Sequence, residues 1–401
     1  MKKLGKAITV SVAGALALGV FAAAAPAGAD PVPTSTDVVG VGSDVVQYAV
    51  DFTADGDALG DAGYNSGGNT NRLDDFDATG DANGRAGYLN GSSLSSPILQ
   101  NPTIILREGE SPIQRPNGGG AGVKALIADG PGPENISFAR SPNLPTAAQQ
   151  TTAQTNLGTK LHTVQIASDT QVIATATTTN APSGLSAQEL VSIYSGAITK
   201  WNQLPGNSGG SSDTIIPLIP PTTAGVYTTF VNALKAANGG TAVSLDGDVV
   251  RTVEQNDPSA ISTLPAAQKV DAIVPFPTSR LSLYNSDYFL NPATPYGVGG
   301  SAPAPVDASI KLLTGTPGDS TQAHPTTSLS IPLPYYIIFR ESDLQSQVPW
   351  QPGSTLNWVR ALFYNPGGSV TPYFQTAAGQ ALIAASGSTA TFADFGNQTF
   401  N

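Results

Sequence analysis

Cysteine is absent from all 401 residues. No disulfide can staple the fold, no thiolate can hold a metal, and no cysteine is present to carry a lipid. Histidine is nearly absent too: only His162 and His324 occur, which leaves a histidine-based triad and a histidine-rich metal site poorly supported. His162, just before a strand, reads as structural. Charged residues make up 12% of the chain and the balance is acidic, at a net -11. Such a chain argues against nucleic acid or an anionic membrane as partner. It leaves an anionic ligand open, because neutral backbone amides bind anions inside acidic proteins. No Gly-x-Ser-x-Gly nucleophile turn, phosphate-cradling Walker loop or paired-carboxylate motif stands out. A non-catalytic protein without cofactor or metal is the expectation, although a glycosidase built on two carboxylates needs no local motif.

Long apolar runs are confined to the start. Lys2, Lys3 and Lys6 precede an apolar stretch from Ile8 to Ala25, and Ala27-Gly28-Ala29 follows before Asp30. This is the pattern of a secretory signal peptide, residues 1–29, cleaved after Ala29. The helix-breaking Pro26 favours cleavage over a retained anchor. No later run is long and apolar enough to span a bilayer, so a secreted, extracellular or cell-wall-associated protein without a lipid anchor is expected. Residues 30–36 read as an extended leader.

What is abundant is glycine and proline, 43 and 32 residues, which predicts many loops. The length suits two domains or one two-lobed unit. Strands are expected at 38–42, 104–107, 136–140, 214–219, 271–275 and 332–339, with one or two more within 161–176. Helices alternate with them, and this order implies an α/β architecture with largely parallel sheets. The clearest element lies in 184–204. Ser186 and Glu189 form a capping box, Leu190, Ile193 and Tyr194 share a helical face, and Gly196 is placed to stop the helix after about three turns. Ile198 and Trp201 tuck back beneath it. Residues 142–158 are polar with little period, and the Thr-rich run 175–180 reads as a linker and first hinge. Within the Gly/Asp/Asn-rich stretch 51–96, Asp77, Thr79, Asp81 and Asn83 alternate in the manner of a calcium loop. The closing carboxylate is missing and the turn glycine is displaced, so an acidic surface loop is expected instead.

Three glycine-containing loops, 40–44, 118–121 and 222–226, each precede a helix. Unsatisfied amides and the helix dipole favour an anion at such ends. Three of them converging in a cleft would form an oxyanion pocket without lysine or arginine.

The order Leu-Ser-x-x-Glu-Leu-x-x-Ile-Tyr-Ser-Gly-x-Ile-x-x-Trp-Asn within 184–204 resembles the segment that opens the second lobe in phosphate-specific substrate-binding proteins of bacterial ABC transporters. Segments 40–47, 115–126, 136–141, 219–234 and 271–276 fall in that family's order. The chain looks like a divergent, secreted, actinobacterial-type member. The resemblance implies a two-lobed periplasmic-binding-protein-like fold of type II, with 37–176 plus 331–401 as lobe I, 177–330 as lobe II, and a ligand cleft between them. It implies phosphate or another oxyanion as ligand, and an ABC transporter permease or a cell-wall component as partner.

Carried over residue by residue, the ligand positions fall at Ser43 and Asp44, at Gly119 and Gly120, at Arg140 and Ser141, and at Thr223, Ala224, Gly225 and Val226. Most of the family's side-chain ligands are replaced. Gly119 has no hydroxyl, Pro142 follows Ser141 where a carboxylate is expected, Ala224-Gly225-Val226 replaces Ser-Gly-Thr, and Pro220 replaces an arginine. Backbone donors remain, with Arg115, Lys124 and Arg140 as the nearby cations, so the charge-assisted part of anion recognition is thin. A second reading is therefore an extracellular interaction protein with a degenerate cleft.

Overall fold

A computed structural model describes residues 32–57, 61–78, 103–130, 135–222, 224–285, 309–316 and 327–400. The expected signal peptide, Thr79, Asp81, Asn83, Thr223 and His324 lie outside the described residues. In chain order the first part comprises β1 (Val38–Gly42), α1 (Asp44–Asp55), β2 (Leu73–Asp75), β3 (Thr103–Ile104), β4 (Ile113–Gln114), α2 (Gly119–Ala128), β5 (Phe138–Ser141) and α3 (Ala147–Asn156). The middle runs through β6 (Leu161–Ala176), α4 (Ala187–Tyr194), β7 (Ile216–Ile219), α5 (Gly225–Ala237), β8 (Arg251–Thr252), β9 (Ala272–Pro277), α6 (Thr278–Tyr284) and β10 (Ile310–Leu313). The chain closes with β11 (Ile331–Arg340), α7 (Ala377–Ala385) and β12 (Thr389–Gly396).

The principal sheet has the order β2-β1-β5-β11-β6-β9-β7-β8, with β10 and β12 also on β6. Its flanks are parallel, β2-β1-β5 on one side and β9-β7-β8 on the other. The centre is antiparallel, because β11 returns against both β5 and β6, and β9, β10 and β12 also run against β6. The expected largely parallel sheet is corrected to a mixed one. Element alternation reads crossovers between neighbouring strands but not a late strand inserted into the middle.

β6 carries the change from one half to the other. Its first part pairs with β11 from Leu161↔Arg340 to Gln171↔Ile331, and from Gln171↔Pro277 onward it pairs with β9. Strand alternation then sorts the core. Ile337 and Phe339 face Val46 and Val50 of α1 and Ile383 of α7, whereas Tyr336 and Ile338 face Leu126 of α2 and Ala153 of α3. In the other half Ile173 and Ile273 pack on α4 and α5, while Ala174, Val274 and Phe276 pack on α6 and on Tyr48 and Phe52 of α1.

The expected anchor helix forms where its capping box places it. Ser186 Oγ accepts from the Glu189 amide at 3.2 Å and Glu189 Oε2 accepts from the Ser186 amide at 2.8 Å. Such a cap contributes about 1 kcal/mol. Gly196 takes the left-handed conformation at φ 76°, and the helix is eight residues, nearer two turns than three. Trp201 is fully buried and its indole donates to Asp271 Oδ1 at 2.7 Å. α3 is an addition to the sequence reading: Thr146 and Gln149 form the same kind of box, but only Gln150 and Ala153 are buried, so the helix has almost no apolar period to reveal it.

Candidate functional site

The start of α2 packs on Gly42 at the end of β1 and on Ser141 at the end of β5, and Pro142, just after β5, meets Gly225 at the start of α5. Gly119 approaches Ser141 so closely that a methyl group on it would stand 2.5 Å from the Ser141 hydroxyl. A methyl on Gly225 would overlap the Pro142 ring. Glycine at these two positions is a packing requirement. Ser141 Oγ donates to the Asn143 carbonyl at 2.7 Å and accepts from its amide at 3.0 Å, which turns the chain toward α5.

Beside this junction lies a cavity of about 460 Å³. Its walls include Gly119, Gly120 and Ala121 from the first turn of α2, Ala224 and Gly225 at the start of α5, and Thr146 and Gln149 at the start of α3. Three helix starts therefore converge, but they differ. At α3 the Thr146–Gln149 box satisfies the Thr146 and Gln149 amides. At α2 and α5 the cap positions are Gly118 and Ala224, neither of which offers a side-chain acceptor. By the geometry of a helix start, amides of both first turns lack an intrahelical partner. Thr222, Thr228, Asn143 and Ser141 add neutral polar groups, Val123, Leu144 and Phe400 add apolar wall, and Lys124 is the one charged residue among the described lining residues.

Five of the ten residues expected from the sequence, Gly119, Gly120, Ser141, Ala224 and Gly225, line this cavity. Val226 is buried and its carbonyl accepts from Gln171 Nε2 at 3.1 Å. Arg140 is fully buried behind β5, ion-paired with Asp75 and donating to the Phe76 carbonyl at 2.8 Å. Arg115 is buried as well and donates to the Asp77 carbonyl at 2.8 Å. Of the three nearby cations, Lys124 alone lines the cavity among the described residues. The polar lining residues outside the expected loops and positions, Asn143, Thr146, Gln149 and Thr228, carry one local signal, the Thr146-x-x-Gln149 box.

Ser43 and Asp44 sit at the start of α1, both buried and away from the residues that line the cavity. The Ser43 amide donates to the Arg140 carbonyl at 3.1 Å. Asp44 is 1% exposed and accepts from Asn256 Nδ2 at 2.7 Å, with Arg280 Nη2 at 3.6 Å from the same oxygen. Next to Asn256, Gln255 Nε2 donates to Asn117 Oδ1 at 3.0 Å. Behind this end stands an acidic nest of Asp51, Asp75 and Asp77 around Arg140. Burial pushes Asp75 up to about 6 against the pull of Arg140, and burial together with Asp77 and Asp75 raises Asp51 well above the usual carboxylate range.

A separate cluster surrounds His162, which bridges Glu341 Oε2 at 2.7 Å and Asp394 Oδ1 at 2.9 Å while stacking on Phe339. Burial works against the charge on both carboxylates. The bonds and charge of His162, helped at Asp394 by Tyr364 and at Glu341 by Asn397, outweigh it and hold both below their ordinary values. The expected structural role of His162 fits this placement. Among the described residues no group of three or more acidic or histidine side chains is arranged to hold a metal, and no helix is long and apolar enough to cross a membrane.

A family model described as a PBP superfamily domain matches residues 90–342, more than half of the chain. The chain belongs to the PBP superfamily. Its α/β architecture is that of a type II periplasmic-binding-protein-like fold. Solved structures similar to this PBP domain include a putative phosphate ABC transporter substrate-binding protein with bound phosphate from Clostridium perfringens, at 13% identity and a TM-score of 0.49, covering 88% of this chain and 99% of that one. An ABC-type phosphate transport receptor from Vibrio cholerae follows at 18% identity and 0.39, covering 68% and 86%. PstS from Borrelia burgdorferi has 13% identity and 0.39, covering 88% and 98%. No curated protein matches.

Proposed function

We propose that this PBP domain is a secreted, non-catalytic solute-binding module whose ligand is a small molecule bearing an oxyanion group. The observation that carries the reading is the pair of uncapped helix starts, α2 and α5, opening on one cavity. At about 460 Å³ the cavity lies within the range of small-molecule pockets. The oxyanion sits against the first-turn amides of Gly119–Ala121 and Gly225–Val226, where dipole and donors act together. Lys124 supplies the countercharge, and the rest of the solute lies along Val123, Leu144 and Phe400. Residues 37–176 with 331–401 form one lobe and 177–330 the other, and the seat lies between them. An ABC transporter permease or a cell-wall component is the partner this reading implies.

The test is thermal unfolding of the chain from Asp30 with inorganic phosphate, sulfate, small organic phosphates and a neutral sugar panel. A ligand at about 100 times its dissociation constant adds roughly 2.7 kcal/mol of stability. Oxyanions raise Tm, and Lys124→Ala weakens that response. No shift with any oxyanion sinks this reading. It would favour the second one, an extracellular interaction protein with a degenerate cleft, toward which the sealed contacts of Asp44 and Asn117 already point.

A further inference from the structure

The cavity at α2 and α5 adjoins a second one of about 310 Å³, and Asn143, Leu144 and Phe400 line both. α5 passes the two in succession: Gly225 and Thr228 line the first, Thr229, Asn232 and Ala233 the second. At a rise of about 1.5 Å per residue, the second cavity begins about one turn from the uncapped amides and Ala233 stands roughly 12 Å along the axis from Gly225. Phe400 is held in place as the shared wall, because its amide donates to the Pro145 carbonyl at 2.9 Å and the residue bridges to Thr146.

The walls of the second cavity are of another kind. Pro142, Pro332 and Pro334 bring no backbone N–H to it, and Ile331 and the Tyr336 ring continue the apolar surface. Tyr336 is buried, and Phe395 meets its ring edge-on with the centroids 5.2 Å apart. Thr229 Oγ1 donates to the Gly225 carbonyl at 3.1 Å and Asn143 Nδ2 to the same oxygen at 3.4 Å, so both side chains are engaged on the start of α5. Among the described residues no charged side chain lines this cavity, whereas Lys124 lines the first.

We propose that the two cavities form one elongated seat whose ligand is a phosphate monoester of a flat apolar ring, not inorganic phosphate. The phosphate end rests on the proposed function, and the ring is what the second cavity adds to it. With the phosphate against the first-turn amides of α2 and α5, the ring lies further along α5 between Phe400, Tyr336 and the prolines. A second charged group there would meet no countercharge, and a sugar would leave hydroxyls unanswered, which is costly. A flat ring gives up only water-exposed apolar surface and gains contact with aromatic neighbours.

The experiment is isothermal titration of the chain from Asp30 with inorganic phosphate, glycerol 3-phosphate, 2-naphthyl phosphate and 2-naphthol. The naphthyl ester binds at least about tenfold tighter than either of the other phosphates, and naphthol binds more weakly than its ester. Ala233→Phe fills the second cavity from a position outside the walls of the first, and it brings the ester down to the affinity of inorganic phosphate. Lys124→Ala instead weakens all three phosphates together. Should Ala233→Phe fail to fold, Asn232→Trp makes the same test from the neighbouring position. Equal affinities for the ester and inorganic phosphate overturn this inference and leave the proposed function standing. An ester preference that survives a filled second cavity overturns it as well, and so does naphthol binding as tightly as its ester. Binding of no phosphate at all overturns both readings.

Discussion

At the start of α1 the protein meets the helix dipole with its own Asp44, whereas at the starts of α2 and α5 it places glycine and alanine beside a cavity. The sealed side is made of buried charges facing each other: Asp44 with Arg280, and Asp75 with Arg140. The open side is made of small neutral residues, with Lys124 at its edge. The same local pattern, a glycine-containing loop before a helix, thus becomes a locked junction in one place and an uncapped helix start beside a cavity in another. What decides is distant: Asn256 and Arg280 for α1, Pro142 for α5. The family match begins at residue 90, so the open helix starts lie inside it and Asp44 outside.

The comparison breaks most severely at Arg140. Arg140→Met leaves Asp75 buried beside Asp51 and Asp77 without its guanidinium, which costs about 3–5 kcal/mol. Urea unfolding should show the loss, while the protein that remains folded keeps its cavity ligand. Survival of stability would mean the sealed side is not held by its charges. Gly225→Val acts on the other side. Its side chain overlaps the Pro142 ring and pushes the loop after β5 from α5, at a cost of about 1–3 kcal/mol. Here the larger effect falls on ligand response, measured by titration, and an unaltered affinity would show that the contact does not shape the cavity.

The smallest effect is on pH. Asp75, raised to about 6 by burial, and Asp51, raised alongside it, hold protons more tightly folded than unfolded. Their contribution is complete below the unfolded value near 4 and is lost as pH rises toward about 6. Glu341 and Asp394 have lowered values, so their contribution is present above about 4 and fades only in stronger acid. Stability should therefore fall as pH rises from about 4 to 6, and the urea midpoint tracks it. Asp75→Asn should flatten that slope; an unchanged slope would place its origin elsewhere.

Much of the second half of the sheet was legible because its signals are local. Ser186, Glu189 and Gly196 mark a helix within a dozen residues, and Val226, Phe230 and Leu234 mark the buried face of α5 as read. α3 escaped because its capping box leads into a polar helix, and β12 because none of its residues is buried and its pairing along β6 is irregular. Of the residues expected from the glycine loops and their neighbours, five line one cavity. Arg140 could not be placed from sequence. Nothing beside it in the chain announces Asp75, and a strand arginine looks the same whether it faces a ligand or a buried carboxylate. The pairing of Asp44 with Asn256 and Arg280 was equally invisible, since it spans most of the chain.

β5 lies between β1 and β11, and its partner Tyr336–Phe339 is made only after the entire second half of the sheet. The first half consequently cannot finish folding as the chain emerges. β1, β2 and β5 must wait with one open edge until β11 arrives, and so many long-range pairings make for slow folding. Until β11 arrives, the exposed edge of β5 is a template on which another chain could pair, so the last long strand also guards the fold against association.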